Sequence, residues 1–382
     1  MDLAPAPELL ALGTEARAVG AAAAARRPIR EDGWLMGHDA DLPAELAARG
    51  WLGMTWPTEA GGGGRSPLER FVVFEALIGE GAPLAACYFA DRQIGPTLLQ
   101  FGSAEQQARW LPGILAGTDM WCVGMSEPDA GSDVASLRTR AEPATDGSGD
   151  WIVDGAKVWT SGAALADWCY LVARTDPTAP PHAGLSELVI DMRSPGVEVR
   201  PIVDATGDGH FCEVVLTGVR VPADHLIGER NGSFRQVMRQ MEHERGGIDR
   251  LVSNHRLLRD VDELLPRPTG VRRDHRAALE VEHRIGRSLV LREVLGQAPR
   301  QFSAATKTFC TEHEQRVAAY CADAMGPAAL AWEPRGAEDG TASLAERVAR
   351  NLVYAPAYTI MGGTTQILRT IIADRVLGLP RV

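Results

Sequence analysis

The chain has 382 residues, 45% of them hydrophobic and 23% charged, and its formal net charge at pH 7 is −11. This length and balance are typical of a folded protein of two or three domains, and they exclude a largely disordered or collagen-like chain. The acidic balance argues against a nucleic-acid partner, which requires a basic face, and an anionic ligand would need a local cluster of arginines.

Residues 1–120 predict a helical domain. Apolar residues recur at helical spacing near Leu9 and, most strongly, from Leu68 to Leu77, and the same pattern continues to Trp110.

Residues 121–230 predict a β domain, because the apolar period shortens to two. Turn-forming clusters of glycine, proline, aspartate and serine separate the expected strands. These strands span residues 138–141, 151–159, 168–174, 187–192, 197–202 and 211–221. A barrel or sandwich of moderate size is expected here.

Residues 231–382 predict a helical bundle, because the helical period returns and lasts to the end of the chain. Two apolar stripes support this expectation, one made of Val281, Ile285 and Leu289 and the other of Val317, Cys321 and Ala324. A loop is expected over residues 326–345. The predicted fold class is therefore α+β and multidomain, with helical domains on both sides of a β domain.

Two polar segments within the β domain carry the chemistry. Residues 121–133 and 154–162 each predict a strand followed by a glycine-containing turn, and Asp154-Gly155 predicts a hairpin. Both segments offer backbone N–H groups and polar or flat side chains: Ser126, Ser132, Thr160, Ser161 and Trp159. Such a set could hold an electron-rich planar ring with an anionic tail, as in a flavin dinucleotide. The alternative is an ordinary β-meander with serine-rich turns.

Glu244 lies on the apolar face of a predicted helix over residues 233–251. A carboxylate in that position must be paired, neutral or catalytic. A structural pairing with Arg245 or Arg250 is the alternative to a catalytic role.

Cysteine usage and the absence of targeting signals predict a cytoplasmic location. Six cysteines are scattered without a C-x-x-C pair, no stretch approaches the roughly 20 apolar residues of a membrane span, and the alanine-rich start lacks the pattern of a secretory leader. His210 and Cys212 lie two residues apart, but no second pair completes a metal set, so no metal is expected.

The two polar segments resemble the paired flavin-binding segments of the acyl-CoA dehydrogenase family. The resemblance extends over nearly the whole chain and includes, in the family's order, residues 50–57, 102–107, 219–224 and 362–369. It implies an N-terminal helical domain over 1–120, a central β-barrel or sandwich over 121–230 and a C-terminal four-helix bundle over 231–382.

The resemblance also implies FAD-dependent α,β-dehydrogenation of an acyl thioester in fatty acid metabolism, in which a glutamate removes a proton and a hydride passes to flavin N5. Most members place this glutamate where the present chain has Gly362. A minority, resembling isovaleryl- and long-chain-type enzymes, carry it on the first helix of the bundle before an arginine, as in Glu244-Arg245. Glu244 is therefore the predicted base, and the backbone N–H of Gly362 is predicted to donate to the thioester carbonyl.

Further site residues follow from the same comparison. Met125, Ser126 and Ser132 resemble the first flavin segment, Trp159 and Ser161 resemble the pair that covers the ring, and Thr364 and Gln366 resemble contacts to the dinucleotide tail. Ser132 and Arg245 are the predicted substrate contacts.

Two departures from the family concern the partner chains. The R-x-x-F-G segment, which in homotetramers reaches a neighbour's flavin, has no match between Leu251 and Val271, and Asp323 stands where a glutamine is expected. Both losses affect the half-site that a subunit lends to its neighbour, which favours a heterotetramer with a related subunit over a homotetramer. The expected substrate is an acyl-CoA or acyl-carrier thioester, branched or bulky, and the expected acceptor is an electron-transfer flavoprotein. A flavin oxidase or monooxygenase and a non-catalytic subunit are the alternatives.

Overall fold

The computed structural model describes residues 6–27, 30–234, 236, 247–299, 301–330 and 342–380. Its N-terminal part is helical, as the apolar periodicity predicts. The helices are α1 (Pro7–Arg26), α2 (Leu42–Ala48), α3 (Pro67–Gly79), α4 (Gly95–Phe101) and α5 (Ala104–Ala116). A π-helical turn over Ala90–Ile94 leads directly into α4.

The central part is a single eight-stranded sheet. Its strands are β1 (Trp121–Gly124), β2 (Arg140–Pro143), β3 (Trp151–Ser161), β4 (Trp168–Arg174), β5 (Leu185–Asp191), β6 (Val197–Ile202), β7 (Phe211–Val221) and β8 (Leu226–Ile227). The order is β6-β7-β3-β2-β4-β5-β8, and β1 pairs in parallel with β4. The long antiparallel pair β3–β7 presents the second polar segment.

The predicted hairpin at Asp154-Gly155 is wrong, because β3 continues through both residues. The register with β7 shifts there, and Asp154 Oδ1 accepts a hydrogen bond from the backbone N–H of Gly218 at 2.9 Å. Gly155 has φ +147°, and a Cβ on it would lie 2.5 Å from Thr139 Oγ1. The glycine therefore permits a bulge and the close approach of a neighbouring strand instead of a turn.

The C-terminal part is helical again. Its helices are α6 (Asp249–Val252), α7 (His255–Leu264), α8 (Gly270–Val294), α9 (Phe302–Met325), α10 (Leu344–Tyr354) and α11 (Thr365–Ile371). The predicted loop over 326–345 begins with a 3₁₀ turn at Gly326–Leu330 and lies partly outside the described residues.

One of the two predicted apolar stripes does not face the core. Val281 and Ile285 on α8 are 56% and 45% exposed, whereas Leu279 and Val290 of the same helix are buried. The stripe of Val317, Cys321 and Ala324 on α9 does turn inward. The outward stripe of α8 therefore resembles a contact surface more than a core face.

The N-terminal and C-terminal helices share one hydrophobic core. Phe74 and Tyr88 from the first part pack in one cluster with Leu251, Val290 and Tyr358 from the last. The α+β architecture of two helical regions and a central β domain is thus confirmed. Across the described part of the chain, every helix is too short or too polar to span a bilayer.

Candidate active site

The first polar segment leaves β1 and folds into a tight turn. Glu127 and Ala130 exchange two backbone hydrogen bonds, with N···O distances of 2.8 and 3.1 Å. Met125 and Ser126 before this turn are partly buried, and Ser132 beyond it is exposed. The turn therefore separates two inner residues from one that faces solvent.

A buried ion pair locks the first segment to the second. The ammonium of Lys157, which is fully buried, lies 2.7 Å from Glu127 Oε1 and donates to the carbonyl oxygen of Met125 at 3.2 Å. Glu127 also accepts from the backbone N–H groups of Arg138 and Thr139 at 2.6 and 2.9 Å. Burial raises the pKa of Glu127, but Lys157 and these donors outweigh it and lower that pKa below 4.5.

A direct backbone contact completes this link, since the N–H of Val158 donates to the carbonyl oxygen of Ser126 at 2.9 Å. The two segments are therefore held side by side by a buried charge and by main-chain hydrogen bonds, as a preorganised binding surface requires.

Trp159 lies at the irregular part of β3. Its φ is +59°, a left-handed conformation that is rare outside glycine, and the register with β7 shifts between Lys157 and Thr160. The ring of Phe211 packs edge-on against the indole, with 5.8 Å between the ring centroids, yet Trp159 is 57% exposed. A large flat ring presented to solvent from a strained backbone, two residues before Ser161, fits the binding of a planar aromatic group.

The C-terminal segment forms a second polar turn. Gly362 and Gly363 have consecutive positive φ values of 68° and 93°. Thr364 then caps α11, because its hydroxyl accepts from the N–H of Ile367 at 3.2 Å, and Gln366 is exposed on the first turn.

This turn and Trp159 border the same core. Phe211, which contacts Trp159, and Met361, which precedes Gly362, both pack against the cluster shared by the two helical regions. Met125 packs against a separate small cluster with Ala130 and Leu137. The structure thus joins Ser126 to the strand that carries Trp159 and Ser161, and it places Gly362, Thr364 and Gln366 together in a second turn.

Glu244 and Arg245 lie outside the described residues, and the chain on both sides of them is anchored. Before them, buried Gln236 donates to the carbonyl oxygen of Ile227 at 3.2 Å. After them, Gly247 approaches a charged cluster so closely that a Cβ there would lie 2.0 Å from Asp249 Oδ1.

This cluster is buried and is built around the Asp249 carboxylate. Arg92 lies 2.9 Å from Asp249 Oδ2, and the hydroxyl of Tyr88 donates to Asp249 Oδ1 at 3.0 Å. Arg250 Nε is 3.3 Å from the same carboxylate. Arg250, the suggested structural partner of Glu244, contacts Asp249, and its suggested pairing with Glu244 lies outside the described residues.

A cleft of about 780 Å³ opens beside the first segment. Four arginines line it, Arg138, Arg140, Arg174 and Arg230, together with the acids Glu142 and Asp176. Arg138 and Arg140 are the exposed pair, with side chains 81% and 58% accessible. This is a local arginine cluster of the kind that an acidic protein needs to bind an anion.

Sequence reasoning missed the Lys157–Glu127 pair and this cleft. A signal for Lys157 was present, since it shares the inward alternation of Trp151 and Val153. The arginines of the cleft come from β2 and the residues just before it, the end of β4 and the chain after β8, so only the fold brings them together. Within the described ranges, His210, Cys212 and their surroundings form no three-ligand metal cluster.

Comparison with known proteins gives consistent matches along the chain. Family models match the acyl-CoA dehydrogenase N-terminal domain over residues 8–118, its middle domain over 122–219 and its C-terminal domain over 234–377. The chain is 37% identical over 351 residues to acyl-CoA dehydrogenase IpdE1 of Mycolicibacterium smegmatis, covering 88% of this chain and 87% of that protein.

Two solved heteromeric assemblies are also similar. A chain of the Tcur3481-Tcur3483 steroid ACAD aligns with a TM-score of 0.87 and 31% identity, and the alignment covers 100% of the present chain and 100% of that chain. A chain of the ChsE4-ChsE5 complex from Mycobacterium tuberculosis aligns with a TM-score of 0.84 and 28% identity, and the alignment covers 100% of the present chain and 100% of that chain.

Proposed function

Because this chain belongs to the acyl-CoA dehydrogenase family, we propose that it is an FAD-dependent enzyme that introduces an α,β double bond into a bulky acyl-CoA thioester. The observation that carries the proposal is the exposed, strained Trp159, which the buried Lys157–Glu127 pair holds beside Ser126. Such a surface fits a flavin ring better than it fits the turn of an ordinary β-meander.

Residues along the core would hold the cofactor. Trp159 would cover the flavin ring, with Met125, Ser126 and Ser161 as further ring contacts. Thr364 and Gln366 would hold the dinucleotide tail. When bound, FAD supplies the two-electron acceptor for the hydrogen that leaves the β carbon.

The protein itself would handle the proton on the α carbon. Glu244 takes that proton, and the backbone N–H of Gly362 donates to the thioester carbonyl, where negative charge develops. Arg245 and Ser132 position the substrate. The described residues on either side of Glu244, Gln236 and Gly247, make close buried contacts, and Glu244 itself lies outside the described residues.

The arginine cleft supports CoA over a carrier protein as the thioester donor. CoA ends in a phosphorylated nucleotide, and a cleft in which Arg138 and Arg140 present exposed guanidinium groups suits such an anion. We expect that Arg138→Ala and Arg140→Ala each raise KM for the CoA thioester roughly 1.5- to 5-fold, as for a solvent-exposed ionic contact.

Steady-state kinetics at low and moderate salt would measure this effect, which should shrink as salt screens the charges. Arg200→Ala, an exposed arginine that does not line the cleft, is the matched control. The same variants assayed with a short thioester that lacks the nucleotide should behave as the unmodified chain. An equal effect on both thioesters would contradict the assignment.

The acyl group is proposed to carry rings. A similar solved assembly is a steroid ACAD, which supports a substrate of this shape. The direct test mixes the flavin-loaded protein anaerobically with a panel of CoA thioesters, from straight chains to steroid side chains. Bleaching of oxidised flavin with formation of the enoyl product supports the function, and electrons would pass to an electron-transfer flavoprotein. Absence of bleaching with every thioester would refute it.

A mixed assembly with a related chain is also proposed. Asp323 at the end of α9 is exposed, so it offers a negative charge where a partner's diphosphate would need a donor. The outward stripe of α8, with Val281 and Ile285, supplies an apolar surface for a partner, and similar solved structures include complexes of two named chains.

The lone chain is therefore expected to purify with well under one FAD per chain, and co-expression with a related subunit should restore stoichiometric binding. Absorbance of the released flavin against protein concentration measures this ratio. A second sample is reconstituted with excess FAD, and its heat-denatured extract is the control for flavin that is lost during purification. One tightly bound FAD per chain in the lone protein would show that the site is complete and would favour a homo-oligomer.

A further inference from the structure

A fully buried lysine contacts the C-terminal glycine turn. Lys307 lies on α9 with no solvent exposure, and its ammonium donates to the carbonyl oxygen of Gly363 at 2.9 Å. Lysine is almost never fully buried without a partner, since removing its charge from water is costly. A buried ammonium at this turn therefore calls for a specific explanation.

The turn needs an external support. Gly362 and Gly363 both adopt left-handed conformations, and glycine is the residue with the widest backbone freedom. Thr364 fixes the C-terminal side of the turn by capping α11. Lys307 holds the carbonyl oxygen of Gly363, between the glycines and this cap, and so limits the freedom of the turn that starts at the Gly362 N–H.

The positive charge of the Lys307 ammonium also has the sign that the proposed reaction needs at this turn. During removal of the α proton, negative charge develops on the thioester oxygen that the Gly362 N–H would meet. A permanent positive charge one residue further along the turn favours that state, and its burial limits screening by water. A neutral hydrogen-bond donor would support the turn without this effect.

We infer that Lys307 is a positioning residue for the reaction, which orients the Gly362 N–H and adds a positive charge beside the developing enolate. This inference rests on the proposed function. It predicts an effect on the chemical step that exceeds any effect on substrate binding or folding.

The test uses Lys307→Met and Lys307→Gln in the flavin-loaded assembly. Lys307→Met should lower kcat by about 10- to 100-fold, with KM changed much less, because a transition-state contact is weakened. Lys307→Gln retains a donor without the charge and should fall between Lys307→Met and the unmodified protein.

A bound β-keto acyl-CoA gives a readout independent of turnover. This ligand ionises to an enolate whose ultraviolet absorbance can be titrated, and its pKa in the site should rise in Lys307→Met and, less strongly, in Lys307→Gln. Val317→Ala on the same helix, three turns away, is the control for a general loss of packing. It should leave the ligand's pKa unchanged.

The outcomes separate the two proposals. If the unmodified assembly neither oxidises acyl-CoA nor ionises the ligand, the proposed function fails. If it does both, and Lys307→Gln shows native kcat and a native ligand pKa, the inference about Lys307 is overturned. Should Lys307→Met fail to fold, the Lys307→Gln measurements decide the question alone.

Discussion

Replacing Glu244 with glutamine is expected to lower turnover by roughly 100- to 10,000-fold, the contribution of a positioned general base. Glutamine preserves the size of the side chain and removes its ability to accept the α proton. Flavin content and substrate affinity should change little, since neither depends on that proton transfer. Single-turnover flavin reduction, measured anaerobically, isolates the chemical step from product release.

Glu242→Gln is the matched control for this prediction. It makes the same chemical change two residues away, on the opposite face of the predicted helix. Its flavin reduction rate should equal that of the unmodified chain. A native rate in Glu244→Gln would place the base elsewhere, either on another residue or on a partner subunit, and would favour a supporting role for this chain.

Replacing Lys157 with methionine is expected to destabilise the β domain by about 3–5 kcal/mol, because it leaves the Glu127 carboxylate buried without its cation. The two flavin segments would lose their link, so cofactor binding should fall as well. Thermal unfolding, followed with and without added FAD, measures both effects. Unchanged stability together with unchanged flavin affinity would contradict the role given to the pair.

The exposed pair Arg220–Asp146 supplies the control. Its N···O distance is also 2.7 Å, but both side chains are about half exposed, so Arg220→Met should have a much smaller effect. Acidity gives a second check. Because the folded-state pKa of Glu127 is lowered, the stabilisation is present above pH 4.5 and is lost as the pH falls through the lowered value. Lys157→Met should weaken this dependence.

The main elements follow from periodicity because burial selects one face of each strand or helix. The strands over 168–174, 197–202 and 211–221 begin and end at the predicted residues, since each alternates between a buried and a more exposed face or is buried throughout. Asp154-Gly155 was misread because the local pattern of a turn and that of a bulge are the same. Only the nearby Thr139 distinguishes them.

The site is less predictable from sequence than the fold. The sequence predicts Trp159, Ser126 and the glycine turn as parts of the site. The structure adds two buried lysines, of which Lys157 supports the first polar segment and Lys307 supports the glycine turn. Lys157 and Lys307 both occupy inward positions of regular elements, where a charge demands a partner. The identity of that partner depends on contacts distant in sequence, 30 residues for Glu127 and 56 for Gly363.

Trp159 also gives the protein an optical property. Of its nine tryptophans, Trp159 stands out among those described, since the others are buried or only partly exposed. Indole emission shifts with the polarity of its surroundings, so among the described tryptophans Trp159 emits furthest to the red. The molecule thus carries a built-in fluorophore at the surface where the flavin is proposed to bind, and occupancy of that surface can be followed without any added label.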